Sequence, residues 1–443
     1  MHKSDVPLRR PRIRWRIFSM LVALAAVLYF QQRSITVASA QIMPDLELSQ
    51  MQIGWLQWAF VLAYGLLQFP GGVLAQRAGA RVALTVTGIM AVLLTASVPL
   101  APSLLSGNAL FLVLLMTQLL LGVVHAPFFP ACAGVMESWL PAGRWAFAQG
   151  VHTFGGQVGA AIAPPLIAAL MTAIGWRSAL FWSALPPLAL IGLWAWYGRN
   201  TPREHPSVSA TELAELDEAG IPPADSSIST RRILRILLNR DIALITFSYV
   251  CMNFAFYLLA NWSFLYLIQE RHFTVLEGGW LASLPPLGAA IGAGMGGAMT
   301  DRLCTLLGVR WGYRAMPLVA LPTAGALLLA AIYSTNPYLA VAALVLSFMA
   351  VEMNEGAYWG GTMRIAQADS MAATGVMNTG GNLGGLIGIP IVAWLSGHGA
   401  WNASFVIGFI LCIVAAVAWL GVDPSRPLVV PATEAGSGDH SHA

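Results

Sequence analysis

Long apolar blocks alternate with short polar punctuation along the whole chain, and each block is about as long as a bilayer crossing. A hydrocarbon core of about 30 Å takes roughly 20 residues of helix. Such blocks fall at 17–40, 53–75, 82–101, 109–134, 145–171 and 178–198, and then at 241–268, 277–300, 314–334, 337–362, 371–396 and 401–421. With no water at that depth, every backbone amide must be paired inside its own helix. The pattern therefore predicts an all-α polytopic membrane protein of twelve transmembrane helices in two pseudo-symmetric six-helix halves.

The polar segments complete the layout: a basic N-terminus (1–16), a first half (17–200), a linker (201–239), a second half (240–422) and a tail (423–443). Pro202, Pro206, Pro222 and Pro223 interrupt the linker, and its acidic piece from Glu212 to Glu218 leaves room for one short surface helix. The tail from Pro431 to Ala443 has the Gly/Ser/His composition of a disordered segment, with His440 and His442 as a weak metal candidate. The basic start followed by an apolar run has the outline of a signal peptide, but no small-residue cleavage site follows it, so it reads as a retained first helix.

The halves echo each other. Gly54-Trp55-Leu56 returns as Gly279-Trp280-Leu281, and Gly71-Gly72-Val73-Leu74-Ala75-Gln76-Arg77 returns as Gly296-Gly297-Ala298-Met299-Thr300-Asp301-Arg302, in one register. Two matches at equivalent loops point to duplication.

Composition agrees: 57% of residues are hydrophobic, 10% are charged, and the mean hydropathy is +0.68, where soluble domains carry about 25% charged residues. Charge placement adds orientation. Lys3, Arg9, Arg10, Arg12, Arg14, Arg16, Arg77, Arg81, Arg144, Arg199, Arg203, Arg231, Arg232, Arg235, Arg240, Arg302, Arg310, Arg314, Arg364 and Arg426 fall on one side, against Arg177 and Arg271 on the other. The positive-inside rule then predicts both termini in the cytoplasm of a bacterial cell, with the bundle in its inner membrane. The net charge of +3 is explained by topology and lipid headgroups, so no nucleic-acid partner is implied. Cys132, Cys251, Cys304 and Cys412 lack disulfide or metal spacing. No nucleophile–base pair, phosphate loop or ligand cluster is visible, so the expectation is no enzyme, no cofactor and no metal.

Gly72-Val-Leu-Ala-Gln-Arg77-Ala-Gly79-Ala-Arg81 joins the second and third blocks. Its glycines allow close approach of helix ends, and its arginines suit carboxylates or helix C-termini across the half interface, or serve as plain topology anchors. The segment resembles the cytoplasmic-loop signature of the major facilitator superfamily. The resemblance implies a gate at Gly72, Arg77 and Arg81, mirrored by Asp301 and Arg302. Gln76 stands where that family has aspartate, which weakens the charged part of the latch in this half; Asp301 keeps it in the other.

Further segments narrow the resemblance. Leu28-Tyr29-Phe30-Gln31-Gln32-Arg33-Ser34, Gly122-Val123-Val124-His125-Ala126-Pro127-Phe128-Phe129-Pro130, Gly175-Trp176-Arg177 and Gly375-Val376-Met377-Asn378-Thr379-Gly380-Gly381-Asn382-Leu383-Gly384-Gly385 are similar to the anion:cation symporters, the branch of hexuronate, galactonate, glucarate, tartrate and phthalate permeases. The likeness runs from about residue 17 to 421. It implies a monomer that takes up a small organic anion, with a proton as coupling ion.

Arg33 leads the candidates. An arginine at mid-helix costs at least about 2.5 kcal/mol in lipid, so it faces a wet cavity or a partner, and its planar fork suits a carboxylate or sulfonate. The competing accounts are a structural ion pair and snorkelling to the outer surface. In the related permeases the matching arginine contacts the anion. Gln32 stands where the branch has aspartate, Gln118 where it has arginine and His125 where it has glutamate. A glutamine hydrogen-bonds but does not titrate, so the family's proton path does not carry over unchanged.

What remains to titrate is His125, His152, Glu352 and Glu355. Glu352 and Glu355 are three apart and share a face of the tenth helix, with Asn354 beside them. Carboxylates so close cannot both ionise cheaply, which suits proton exchange; pairing with a loop arginine is the alternative. Glu137 reads as structural. Tyr29, Trp58, Tyr64 and Gln68, with Tyr249, Asn253, Tyr257, Asn261, Trp262, Asn378 and Asn382, offer hydrogen bonds and aromatic walls for a cavity. Asn378 and Asn382 serve tight helix packing equally well. The missing carboxylates keep two other classes open, an anion exchanger or exporter of amphipathic compounds, and a sensor. The linker is short for a sensor's output domain.

Overall fold

The computed structural model describes residues 13–218, 228–273 and 275–428. Its helices are α1 (Ile13–Asp45), α2 (Gln50–Leu66), α3 (Gln68–Ala78), α4 (Ala80–Ser97), α5 (Gly107–His125), α6 (Phe128–Trp139), α7 (Trp145–Ser183), α8 (Leu185–Tyr197), α9 (Ala210–Glu218), α10 (Thr230–Leu238), α11 (Arg240–Gln269), α12 (Val275–Ala282), α13 (Leu284–Tyr333), α14 (Pro337–Glu352), α15 (Glu355–Ala366), α16 (Ser370–Gly397) and α17 (Trp401–Trp419). The tail with His440 and His442 lies outside the described residues.

Among the described residues eight stretches are long and apolar enough to cross a membrane, nine if α2 and α3, bent by 56°, form one crossing. Two of them are too long for a single pass. Trp280–Tyr333 has 54 residues and Pro337–Gly397 has 61, whereas 20 residues already span about 30 Å. The first turns back at Gly308 (φ 76°) and the second at Gln367–Asp369. The first part of α7, more polar through Gln149, His152 and Gln157, supplies one more pass before Gly175 (φ 76°) redirects the chain. Divided at these turns, the described residues are consistent with twelve passes in two halves. Both described ends share one face with α9 and α10, called here the linker face.

Gly79 (φ 81°) and Gly308 (φ 76°) take the same place in the two halves, each turning the chain between adjacent passes in a conformation that favours glycine. The breaks inside passes also have local causes. Pro70 and Pro127 remove amide donors and so interrupt the α2–α3 and α5–α6 crossings. Between α14 and α15 no proline intervenes. There the Asn354 side chain donates back to Ala350 O and Val351 O at 2.8 and 2.9 Å, competing with the backbone ladder. The tenth helix, expected to be continuous, is therefore two helices that meet at Met353-Asn354.

The linker carries two short helices rather than one. Glu212 of α9 accepts from the Ile13 and Arg14 amides at 3.1 Å each and pairs with Arg14 Nε at 3.3 Å, while Arg14 also pairs with Glu215. A carboxylate thus caps the positive end of α1. On the opposite face Arg177 pairs with Asp45 at 2.8 Å and Trp176 donates to the same carboxylate at 2.8 Å, fixing the far end of α1 to the turn after Gly175.

Between helices, small residues set the spacing. A Cβ on Gly159 of α7 would sit 1.9 Å from Ala26 O of α1, and one on Gly122 would sit 2.4 Å from Phe60 O. Gly192 of α8, by contrast, has nothing within 4 Å of such an atom. Gly159→Leu is therefore expected to overpack the α1–α7 contact by about 1–3 kcal/mol and to lower the melting temperature in detergent, read by fluorescence-detected unfolding, while Gly192→Leu leaves it unchanged.

Candidate functional site

Side chains from both halves converge midway along the bundle. Tyr29 and Arg33 lie one turn apart on α1. The Arg33 side chain is exposed and has no ion pair or hydrogen bond among the described residues; its charge reaches the Tyr257 hydroxyl on α11. That hydroxyl donates to Asn382 Oδ1 at 2.9 Å, and Asn382 Nδ2 donates to Asn378 O at 2.8 Å. From α2 the Tyr64 hydroxyl faces Asn378 and Gln68, whose own amide atoms are buried with no full hydrogen bond. Gly65 brings α2 and α16 together here, since a Cβ on it would lie 2.9 Å from Asn382 Cβ. Asn382 thus serves packing and polar contact at once. Arg33 has no fixed acidic partner, which leaves its fork available to an anion.

Behind this ring lie the two carboxylates, one on each side of the helix break. Glu355, at the start of α15, accepts from the Tyr249 hydroxyl at 2.9 Å and from Trp359 Nε1 at 2.9 Å, one donor on each oxygen. Glu352, at the end of α14, is 2% exposed, and its Oε2 is buried with no partner. Neither pairs with a loop arginine among the described residues, which removes that alternative. The two carboxylates lie on either side of the turn at Met353-Asn354, whose backbone stays in the right-handed helical region. Trp359 was not singled out from the sequence; its i,i+4 spacing from Glu355 was the available signal.

Other candidates lie elsewhere. His125 is fully buried, its Nδ1 held 2.7 Å from Leu121 O of its own helix, its ring against Phe60 and its Nε2 without a partner. His152 is enclosed by Phe128 and Phe129, and neither ring nitrogen has a partner. Phe129 also touches Tyr29 and Trp359, so these rings form one aromatic wall between the halves. Gln118 is buried inside the first half, in a small pocket with Ile35, Leu56, Gln57 and Leu114, rather than beside Arg33. Gln32 is half-buried, Trp58 and Asn261 are exposed, and Trp262 packs on Trp401. Asn253 donates to Tyr249 O of its own helix at 2.9 Å.

At the linker face the halves are latched. Asp301 Oδ2 accepts from Phe147 N at 3.0 Å, so a carboxylate of α13 caps the start of α7. In the mirror position Gln76 of α3 reaches the start of α16, donating from Nε2 to Asp369 Oδ1 at 2.8 Å and to Ala368 O at 3.0 Å. Asp369 is also gripped by Arg232 of α10, through Nε at 3.1 Å and Nη2 at 2.7 Å. The carboxylate expected at position 76 is supplied from the opposite half, and the latch keeps its charge. Ser370 adds a hydrogen bond to Glu137, which therefore joins the halves.

Gly72 permits the contact, because a Cβ there would meet Met371 O at 2.2 Å. The arginines do not bridge the halves as anticipated. Arg81 donates to Ala195 O and its amide to Asn200 Oδ1, closing α8 of its own half, while Arg77 reaches Ile228 O at 3.5 Å and Arg302 is exposed.

Removing the carboxylate should loosen this face, since a hydrogen bond to a charged group contributes about 1.5–3 kcal/mol. In a protein freed of Cys132, Cys251, Cys304 and Cys412, a Met371→Cys reporter in the latch is expected to react several-fold faster with maleimide when Asp369→Ala is added. An unchanged rate would mean that the contact does not hold the halves shut.

The family model described as Major Facilitator Superfamily matches residues 21–372. The chain is 28% identical over 440 residues to a probable sulfoacetate transporter of Cupriavidus necator, covering 98% of this chain and 99% of that one. It is 25% identical over 423 residues to a probable galactarate/D-glucarate transporter of Bacillus subtilis, covering 93% and 92%. Among solved structures it is similar to the proton:xylose symporter XylE, with a TM-score of 0.75 at 11% identity over 92% of this chain and 95% of that one. The Escherichia coli fucose:proton symporter FucP gives 0.68 at 14%, over 93% and 99%.

Proposed function

The chain belongs to the major facilitator superfamily, and from that membership we propose that it imports a small organic anion, a carboxylate or sulfonate, together with protons across the bacterial inner membrane. It is a membrane transporter and not an enzyme. The observation that carries the substrate reading is Arg33, an exposed guanidinium within α1 with no acidic partner among the described residues, whose charge reaches Tyr257, itself hydrogen-bonded to Asn382. A fork of donors in a low-dielectric cleft favours an oxyanion strongly. The printed names of the relatives, sulfoacetate and galactarate/D-glucarate transporters, support the same class.

In this reading the linker face is cytoplasmic and the protein works as a monomer. Substrate binds between the halves, and rocking of those halves exposes it alternately to either side. The latch of Gly72, Gln76 and Asp369 on one side and Asp301 with the α7 start on the other closes the inner gate, while Arg77, Arg81 and Arg302 anchor the loops that carry it. Glu352, Glu355 and His125 are the groups available to move a proton. An anion exchanger is the second reading, favoured by Gln32 and Gln118, which leave the first half without a coupling carboxylate.

Uptake of labelled sulfoacetate and D-glucarate into proteoliposomes separates these readings. Arg33→Ala is expected to abolish uptake and Arg33→Lys to retain part of it at raised KM, because a point charge lacks the bidentate fork. Undiminished transport by Arg33→Ala would remove the anchor role. Accumulation against a gradient without counter-substrate would exclude exchange.

A further inference from the structure

We propose that Glu352 alone is the proton carrier of this transporter and that Glu355 is a fixed anion which positions the site. The inference rests on the proton-coupled reading above and deepens it by dividing two adjacent carboxylates between two roles.

The division comes from hydrogen bonding. Both oxygens of Glu355 accept, one from the Tyr249 hydroxyl and one from the Trp359 indole, each at 2.9 Å. Two donors, one on each oxygen, favour the ionised form of this carboxyl group. Glu352 has the opposite surroundings. It is 2% exposed, and its buried oxygen has no donor. Charge left there without a partner costs several kcal/mol, so the side chain holds its proton while the linker face is closed.

The groups that face Glu352 agree with this. Glu355 comes from α15, Tyr29 from α1 and Tyr249 from α11. From α13, glycines pack on the backbone on either side of Glu352: a Cβ on Gly292 would meet Met349 O at 2.1 Å and one on Gly296 would meet Met353 O at 2.0 Å. From α7, His152 stands behind Phe129. No arginine or lysine pairs with Glu352 among the described residues, so the proton is its only means of losing charge.

Position makes the proton exchangeable. Glu352 is the last residue of α14, directly before the Met353-Asn354 break. It therefore sits at a turn between two helices of one pass, and separation of the halves at the linker face would bring water to it. Coupling follows from charge. With Glu355 ionised, an anion on Arg33 adds a second negative charge to the cleft and opposes ionisation of Glu352. By reciprocity the proton on Glu352 favours anion binding by the same factor. When the inner side opens, hydration lets Glu352 release its proton, and the anion is repelled from the site.

Two measurements test this. In pH-jump infrared difference spectra of purified protein, which need no substrate, the carbonyl stretch of a titrating carboxylic acid is expected in the wild type, absent in Glu352→Gln and retained in Glu355→Gln. In proteoliposomes, with sulfoacetate as probe, Glu352→Gln is expected to lose pH-gradient-driven accumulation by about tenfold or more while counterflow remains measurable. A band that persists in Glu352→Gln, or vanishes only in Glu355→Gln, overturns the assignment, as does gradient-driven accumulation by Glu352→Gln. Failure of the wild type itself to respond to the gradient would instead overturn the symport reading.

Discussion

Two helix starts hold this molecule together across its midline. The first amides of α7 face a carboxylate from the second half, Asp301, and the start of α16 faces an amide from the first half, Gln76, which donates to Asp369. A helix start carries unpaired donors and a partial positive charge, so each junction needs an acceptor or an anion nearby. Position 301 provides the anion directly. Position 76 is an uncharged donor, and the negative charge has moved to the cap residue of α16, where Arg232 balances it. The close glycine contacts around Gly72, Gly150 and Gly297 follow from these junctions, since the backbones must touch before such short side chains can reach.

The same scarcity of water explains the site. Among the described residues the Arg33 guanidinium has no acidic partner, and the neutral Tyr257 hydroxyl that its charge reaches does not balance it. Glu355 is stabilised by neutral donors, while Glu352 has none. Two residues of identical chemistry, on either side of the turn at Met353-Asn354, thus meet different hydrogen-bonding surroundings. Charge pairing within each half is confined to the ends of passes, as at Arg177 with Asp45 and Arg14 with Glu212.

Much of this could be read from the chain. The crossings stand out because a bilayer forbids unpaired backbone, and Arg33 stands out because it is the arginine that falls within an apolar block. Other parts depend on contacts that no local pattern carries. The partner of Gln76 lies 293 residues away, and the arginine that completes it sits in the linker, where charge is expected anyway. The break beside Glu352 arises from an asparagine bonding back to its own helix, in a segment whose apolar pattern continues unbroken. Gln118 occupies a position at which the related permeases have arginine, yet it turns into the first half, against Leu114 and Gln57. Sequence likeness placed the position but not the direction of the side chain.

The grip of α9 on the start of α1 has a consequence for dissecting the protein. Residues 210–218 belong by contact to the first half and residues 230–238 to the second, although both lie in what reads as one connector. Two fragments expressed separately would reassemble best if the cut falls between Glu218 and Ile228. A cut just after residue 200 would strip the first fragment of the carboxylate over its opening helical turn.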